Sequence, residues 1–355
     1  MSEQRNDHDL AFLLRYENVA WFEDGKVRIL DRRIYPAQVK FVICNHYQEV
    51  AQAIREMVTQ SAGPYTAAAM GMALAAWECR RQSHARQLDF LQEAARTLST
   101  VRPTTQVRMR QIVDGCLLRA RRAFDEGEDI SAALFVHAFD NIQYRYGIIS
   151  DIAVNLVKLF PEDARILTQC FGETIVGTAL REAKAGNLKL RLFVPETRPY
   201  LQGSRLTASV AYDMGCDVTV ITDNMVAATI RNKGINFFTS AADTICMDGA
   251  IVNKVGTWQI ALLCSHFSVP YYVTGIPDRG TASKSINIEE RDPSEVLSCG
   301  GSRIAMEGVR AYYPAFDITP PELVSGIVTN NGVFTPQELS GYYDQYPDSR
   351  FYTGI

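Results

Sequence analysis

From residue 165 onward, the chain alternates short apolar runs with segments of helical length. Apolar runs of this kind are typical of parallel strands that are buried on both faces. We predict strands at residues 165–168, 188–194, 218–221, 235–238 and 270–273. The predicted helices between them span residues 174–185, 207–214, 225–233 and 257–267. This order predicts a doubly wound, Rossmann-like parallel sheet with right-handed crossovers.

The preceding part of the chain has a different pattern. Two short apolar runs flank Asp24-Gly25, which predicts a β-hairpin. Between residues 47 and 160, apolar positions recur at three- and four-residue spacing, which predicts helices. The expected fold class is therefore α/β, with a mostly helical N-terminal domain at residues 1–147 and a Rossmann-like catalytic domain at residues 148–355. No flexible linker marks the boundary, so we place it inside the long helical stretch near Gly147.

Composition narrows the possible partners. The chain has 355 residues and a formal net charge of −4, without a basic face, so we do not expect binding to nucleic acid or to an anionic membrane. No apolar run approaches the ~18 residues of a membrane span. The polar residues 1–9 do not resemble a secretory signal, so we expect a cytoplasmic protein.

The cysteines favour the same compartment. The chain has 8 of them, with no CxxC pair and no Cys/His cluster. Reduced core cysteines are the simplest interpretation, and neither a metal nor another cofactor is expected.

Polar clusters follow the predicted strands, at residues 195–207, 222–225 and 248–257. In an open parallel sheet, the loops at the carboxyl ends of the strands line the ligand crevice. We therefore predict that these clusters bring Arg, Gln, Asp, Asn and Lys side chains to one rim. Neither GxxxxGK[ST] nor GxGxxG is present, which argues against a nucleotide-binding oxidoreductase.

Individual residues at this rim allow more than one interpretation. Cys170 follows the first strand and precedes a helix, where the helix dipole would lower the pKa of a functional thiol; it could equally be a buried cysteine. Asp243 could be an acid of the site or a helix cap. Asn253 and Lys254 precede a predicted helix, where a lysine suits a phosphate, although a solvated surface lysine is the ordinary alternative.

Taken together, these blocks resemble the methylthioribose-1-phosphate isomerase family. The resemblance covers most of the chain, and its blocks are Val19 to Arg32, Ile54 to Met57, Cys170, residues 196–208, 222–225, Ala242-Asp243, 253–257, 289–293 and 313–320. This superfamily also contains ribose-1,5-bisphosphate isomerases and regulatory subunits of a translation-initiation exchange factor. The C-terminal half is more similar to the isomerases.

The resemblance implies roles for particular residues. It makes Cys170 and Asp243 the catalytic pair and gives Arg102 a phosphate-binding role. It also implies that Gln202, Asn253 and Lys254 contact the sugar and order the site. The regulatory subunits need no such catalytic pair, so its presence favours an enzyme. A homodimer without a cofactor is the expected state.

One loop departs from the family pattern. The isomerases carry an arginine at the start of a phosphate loop where this chain has Gln60, followed by Ser61 and Ala62. Losing a charge-assisted hydrogen bond would weaken phosphate binding by ~1.5–3 kcal/mol. A second phosphate on the substrate is therefore disfavoured. We expect 5-deoxyribose 1-phosphate or methylthioribose 1-phosphate as substrate, with a slight preference for the deoxy sugar; a non-catalytic binding protein and a ribose-1,5-bisphosphate isomerase are the alternatives.

Overall fold

The computed structural model describes residues 5–101 and 106–351. The chain forms two compact units, of which the first runs to Gly147 and the second from Ile148 to Arg350. Within the residues described, no helix is both long and apolar enough to cross a membrane.

The described part of the first unit contains a small antiparallel sheet, five complete helices and the beginning of a sixth. The sheet has the order β1-β2-β3, with strands at Ala20–Glu23, Lys26–Leu30 and Phe41–Cys44. The predicted hairpin is confirmed, and both of its turn residues, Asp24 and Gly25, have positive φ. The helices of this region are α1 (Tyr16–Val19), α2 (Tyr47–Arg55), α3 (Gly63–Cys79), α4 (His84–Ser99), α5 (Gln106–Asp125) and α6 (Ile130–Val157).

Helix α3 is the centre of the first core. It is buried along almost its whole length, and its many alanines allow the neighbouring helices and strands to pack closely against it. A helix that is apolar on every face is expected to be buried in this way.

The second unit is built on a seven-stranded sheet with the order β15-β14-β10-β7-β4-β5-β6. All neighbouring strands are parallel except β14 and β15. The strands are β4 (Asp163–Leu167), β5 (Lys189–Pro195), β6 (Asp217–Ile221), β7 (Phe237–Ala241), β10 (Tyr271–Thr274), β14 (Gly326–Thr329) and β15 (Gly332–Phe334). The helices are α7 (Thr174–Ala185), α8 (Ala208–Asp213), α9 (Val226–Lys233), α10 (Thr257–His266) and α11 (Tyr342–Gln345). The predicted α/β fold class with a Rossmann-like sheet is confirmed.

The order of the strands reverses at β4. From β4 the chain moves outward through β5 and β6, and it then returns to β7 on the other side of β4. Such a topological switch point opens a crevice at the carboxyl ends of the two neighbouring strands, here β4 and β7.

Two smaller sheets were not predicted from the sequence. One is antiparallel with the order β13-β9-β8, formed by Phe316–Thr319, Ile251–Lys254 and Thr244–Ile245. The other is the hairpin of β11 (Ser298–Cys299) and β12 (Ser302–Arg303). The prediction that Asn253 and Lys254 lie in a loop is therefore wrong, because both lie in β9.

Candidate active site

The switch point brings the two predicted catalytic residues together. Cys170 lies in the loop after β4, and Asp243 lies in the loop after the neighbouring strand β7. The loops approach each other closely, since a Cβ atom placed on Gly172 would lie 3.5 Å from the Cβ of Ala241. Cys170 and Asp243 also interact electrostatically. Asp243 precedes a strand, so the alternative of a helix cap is excluded.

The Cys170 loop is fixed by hydrogen bonds on both sides. Cys170 has a φ of 59°, in the left-handed region that few residues other than glycine adopt. The hydroxyl of Thr207 donates to the carbonyl oxygen of Cys170 at 2.5 Å. The Gln169 amide donates to the carbonyl oxygen of Val255 at 3.1 Å. These contacts attach the Cys170 loop to Thr207 and to Val255, the residue that follows β9.

The thiol is less acidic than the sequence suggested. Burial raises the pKa of Cys170 to about 11, while Lys254 lowers it and Asp243 raises it further. The prediction that the start of the helix would lower the pKa is wrong, because burial outweighs the favourable charges around the thiol.

Lys254 and Asn253 are buried polar residues of β9, with exposed fractions of 4% and 6%. The Nζ atom of Lys254 donates to the carbonyl oxygen of Ala315 at 2.9 Å and lies 4.5 Å from the centre of the Phe316 ring. The Asn253 amide donates to the hydroxyl of Thr257 at 3.1 Å. The solvated surface lysine considered for Lys254 is therefore excluded.

The start of α10 already holds an anion of the protein. The carboxylate of Asp317 accepts hydrogen bonds from the backbone N–H groups of Gly256, at 2.7 Å, and of Trp258, at 3.2 Å. Burial raises the pKa of Asp317 to about 6, although these N–H groups and Lys254 act in the opposite direction. The backbone donors that were expected to suit a phosphate at this helix are thus used by Asp317.

Gln202 is buried, with an exposed fraction of 5%, and it directly precedes a π-helical turn, Gly203–Thr207. A side chain at Gly203 is not compatible with this turn, since a Cβ atom there would lie 1.8 Å from the backbone oxygen of Pro195. The carboxylate of Asp223 accepts the backbone N–H groups of Thr197 and Arg198, both at 2.8 Å. Asp223 therefore holds the segment that carries Gln202 in place.

Sequence reasoning did not single out Arg291 and Tyr313. The Nε atom of Arg291 donates to Glu289 at 2.7 Å, and its backbone N–H donates to the carbonyl oxygen of Tyr313 at 3.0 Å. Both side chains interact electrostatically with Cys170. The Arg291 side chain also interacts with the side chain of Tyr313. Within the described residues, the Nη1 atom of Arg291 and the hydroxyl of Tyr313 have no hydrogen-bond partner of normal geometry. Both residues lie in blocks that carry the family resemblance, and neither had been assigned a role in the site.

In the first unit, the predicted binding residues Gln60, Ser61 and Ala62 form the loop directly before α3. Gln60 is buried, and its amide donates to the carbonyl oxygen of Met57 at 3.2 Å, whereas Ser61 is exposed. A buried arginine that the sequence did not single out, Arg32, donates to the carbonyl oxygen of Gln60 at 2.5 Å. Arg102 lies outside the described residues.

Within residues 5–101 and 106–351, no group of three or more His, Cys, Asp and Glu side chains has the arrangement of a metal site. All eight cysteines are free thiols, and most of them are buried.

Comparison with known proteins identifies the family. Residues 59–336 match the initiation factor 2 subunit family. The chain is 37% identical to methylthioribose-1-phosphate isomerase of Chloroflexus aurantiacus, covering 90% of this chain and 96% of the relative. It is 33% identical to the enzyme of that name from Thermotoga maritima, covering 91% of this chain and 96% of the relative.

Solved structures agree with these sequence matches. The 5-methylthioribose 1-phosphate isomerase of Pyrococcus horikoshii OT3 superposes with a TM-score of 0.80 at 29% identity, covering 95% of this chain and 98% of that one. The delta subunit of the translation initiation factor eIF-2B from A. fulgidus superposes with a TM-score of 0.77 at 28% identity, covering 90% and 96%. The chain therefore belongs to the initiation factor 2 subunit family, in its methylthioribose-1-phosphate isomerase branch, and is an isomerase.

Proposed function

We propose that the chain is an aldose-ketose isomerase that converts a 5-modified ribose 1-phosphate to the corresponding ribulose 1-phosphate. The observation that carries this proposal is the meeting of Cys170 and Asp243 at the switch point of the sheet. The two side chains provide a thiol and a carboxyl group in one crevice, which is the minimum for moving a proton within a bound sugar.

The substrate explains why two groups are needed. In an aldose 1-phosphate, the phosphate blocks the anomeric oxygen, so the ring cannot open by ordinary mutarotation. An acid must protonate the ring oxygen as the bond between that oxygen and C1 breaks. A base must then take the hydrogen from C2, and a proton must be delivered to C1.

We assign the acid to Asp243 and the C2 base to Cys170. When Cys170 accepts the proton from C2, the electron pair of the broken C–H bond forms the C1–C2 double bond of an enol. Protonation at C1 and loss of the proton from the C2 hydroxyl then give the ketone. Because burial raises the pKa of Cys170 to about 11, the thiolate needs the nearby positive charges of Lys254 and Arg291. A hydride shift in which Cys170 only polarises the substrate is the mechanistic alternative.

The residues proposed to bind the substrate fall into two groups, one for the sugar and one for the phosphate. Gln202, Asn253 and Lys254 are assigned to the sugar, and Gln60, Ser61, Ala62 and Arg102 to the phosphate. The burial of Asn253 and Lys254 supports their assignment, because buried polar side chains keep a fixed direction for hydrogen bonding. The C5 substituent is expected to be small and uncharged, either methylthio or, with a slight preference, the hydrogen of a 5-deoxy sugar.

A direct assay tests the reaction and the substrate together. The protein is incubated separately with 5-deoxyribose 1-phosphate, methylthioribose 1-phosphate and ribose 1,5-bisphosphate, and conversion is followed by phosphorus NMR. We expect turnover of the first two sugars. If the bisphosphate gives the highest kcat/KM, the assignment of an uncharged substituent is wrong, and if none is converted, the proposed reaction is wrong.

A non-catalytic sugar-phosphate-binding protein is the second candidate, since the eIF-2B delta subunit shares the fold at a TM-score of 0.77. It predicts binding of the sugar phosphates without turnover. The convergence of Cys170, Asp243, Lys254 and Arg291 at one place favours the enzyme. The same NMR assay, combined with calorimetric binding, separates the two candidates.

We further propose a homodimer. The family resemblance supports it, as does the apolar and aromatic content of the segment from Met306 to Phe316. Within that segment, however, Tyr313 and Phe316 are buried in the second unit. Met306 and Tyr312 remain as exposed apolar groups, with exposed fractions of 82% and 71%. Large exposed apolar side chains in one segment are typical of interaction surfaces. Light scattering at micromolar concentration should give the mass of a dimer, and a monomer mass would refute this proposal.

A further inference from the structure

The loop before α3 has an unusual polar environment. Thr59 and Gln60 are both buried, and the hydroxyl of Thr59 and the side-chain oxygen of Gln60 have no hydrogen-bond partner within the described residues. Leaving a buried polar atom without a partner costs on the order of 1–3 kcal/mol, so native proteins retain few of them without a reason. This loop therefore carries polar capacity that the folded chain does not use.

The buried residue Arg32 is hydrogen-bonded to this loop. Its backbone N–H donates to the carbonyl oxygen of Val58 at 2.8 Å, and its Nη1 atom donates to the carbonyl oxygen of Gln60 at 2.5 Å. The same carbonyl oxygen accepts the backbone N–H of Gly63, the first residue of α3, at 3.1 Å. Arg32 thus holds the backbone of the loop at the point where the helix starts.

Gly63 shows how tightly these groups converge. A Cβ atom placed on Gly63 would lie 2.0 Å from the hydroxyl of Thr59 and 2.9 Å from the Nη1 atom of Arg32. The guanidinium, the unpartnered hydroxyl and the first turn of a 17-residue helix therefore meet within a few ångströms. Gly63 and Tyr65 already donate their backbone N–H groups to the carbonyl oxygens of Gln60 and Ala62, and Pro64 has no N–H. The preference for an anion at this loop therefore rests on the helix dipole and on the buried charge of Arg32, where screening by water is weak.

We propose that Arg32 is a positioning residue for the phosphate group of the substrate. Its buried guanidinium fixes the loop of Gln60, Ser61 and Ala62 and supplies positive charge from behind it. This inference rests on the proposed function, in which that loop binds the phosphate. The buried guanidinium offsets part of the positive charge that the loop lacks because Gln60 stands where the isomerases carry an arginine.

Replacing Arg32 by methionine removes the charge while filling similar volume with apolar atoms, which a buried site often tolerates. We expect Arg32→Met to raise KM for methylthioribose 1-phosphate about 10- to 100-fold, with kcat within about threefold of the wild type, because the phosphate is held similarly in the ground and transition states. Arg32→Lys keeps the charge but not the planar fork, so its KM should lie between the two. A KM of Arg32→Met within threefold of the wild type would overturn the proposal, as would a KM for Arg32→Lys as high as that of Arg32→Met.

Arg33 provides a matched control. Its guanidinium binds the carboxylate of Asp31 at 2.9 Å and also contacts Glu56. We expect Arg33→Met to change KM by less than about threefold. If Arg32→Met does not fold, the double variant Arg32→Met with Gln60→Arg returns a guanidinium to the same loop. A folded double variant with near-wild-type KM supports the proposal, and an unfolded one or one with a KM raised more than tenfold contradicts it.

Binding of inorganic phosphate gives a readout that does not require turnover. At 50 mM phosphate, relative to an equal ionic strength of chloride, we expect the Tm of the wild type and of Arg33→Met to rise by about 2 °C and that of Arg32→Met to stay unchanged. An equal rise in all three proteins would overturn the proposal. If the wild type converts no aldose 1-phosphate, the proposed function fails, and the inference about Arg32 is decided by this experiment alone.

Discussion

The rim of the parallel sheet and the loop before α3 differ in how their chemistry is assembled. At the rim, Cys170 and Asp243 come from the ends of two strands that are neighbours in the sheet, so the topology alone brings them together. At the loop, the residues Gln60, Ser61 and Ala62 are neutral, and the positive charge of Arg32 arrives from a segment 28 positions earlier. Topology therefore predicts which residues meet at a strand-end site, whereas the charge of a helix-start loop depends on what packs beneath it.

The largest expected effect tests the rim. Cys170→Ser and Asp243→Asn should each reduce turnover by about 10²- to 10⁴-fold, because each variant removes one of the two proton-transfer groups. Initial rates with the preferred sugar phosphate measure the effect, and circular dichroism shows whether the variants remain folded. Wild-type-like turnover in either folded variant would remove that residue from the catalytic pair.

The sequence predicted β4, β5, β6, β7 and β10, because a strand that is buried on both faces has a continuous apolar sequence. It missed β14, although this strand is buried and pairs with β10 in parallel. It did not predict β8, β9 and β13, since β8 has only two residues and β9 carries the polar pair Asn253-Lys254. Polar residues in a short segment predict a loop, and the sequence does not show which strand will pair with that segment. In the structure β13 pairs with β9, with Asp317 opposite Asn253.

In the candidate site, too, the sequence did not reveal features that depend on how distant segments pack together. Position at strand ends made Cys170 and Asp243 candidates, and the resemblance to the isomerase family implied that they form a pair. That β4 and β7 are neighbours in the sheet came from the structure. The acidity of Cys170 was predicted in the wrong direction, because burial is a property of the packed structure. Arg32 and Arg291 could not be distinguished from surface arginines, since their importance comes from burial beside loops that are distant in sequence.

The next prediction concerns the carboxylate that occupies the start of α10. The folded-state pKa of Asp317 is raised from 3.8 to about 6, so the folded state holds its proton more tightly than the unfolded state does. Protonated Asp317 therefore stabilises the folded state relative to the unfolded state. This contribution is fully present below pH 3.8 and is lost as the pH rises through 6. The contribution of this group to the free energy of unfolding should therefore fall by about 3 kcal/mol across that window.

Urea unfolding between pH 4 and pH 7 measures this contribution when the wild type is compared with Asp317→Asn. The asparagine does not titrate, so the difference between the two proteins should change with pH in the direction given. A difference that is constant over this window would show that Asp317 has an ordinary pKa, and the start of α10 would then hold a permanent anion.

Substitutions at two glycines compare the rigidity of the rim of the sheet with that of the loop before α3. In Gly203→Ala the new Cβ atom would meet the backbone oxygen of Pro195 at 1.8 Å, whereas in Gly63→Ala it would meet the side-chain hydroxyl of Thr59 at 2.0 Å. A side chain can rotate away but a backbone cannot, so we expect losses of unfolding free energy of about 3 kcal/mol for Gly203→Ala and about 1–2 kcal/mol for Gly63→Ala. Chemical unfolding measures both, and Gly186→Ala, with its nearest contact at 3.6 Å, serves as the control. The reverse order would mean that the loop before α3 is the more rigid region.

The smallest expected effect examines how the Cys170 loop is positioned. Thr207→Val keeps the shape of the side chain but removes the hydroxyl that donates to the carbonyl oxygen of Cys170. We expect kcat to fall about tenfold with KM nearly unchanged. A misplaced proton-transfer group reduces the stabilisation of the transition state more than it reduces the binding of the substrate. Thr178→Val is the matched control, since the hydroxyl of this buried threonine donates to the carbonyl oxygen of Thr174, within its own helix. If both variants lose kcat equally, the effect comes from the general loss of a buried hydroxyl, and the contact between Thr207 and Cys170 has no special role in positioning the thiol.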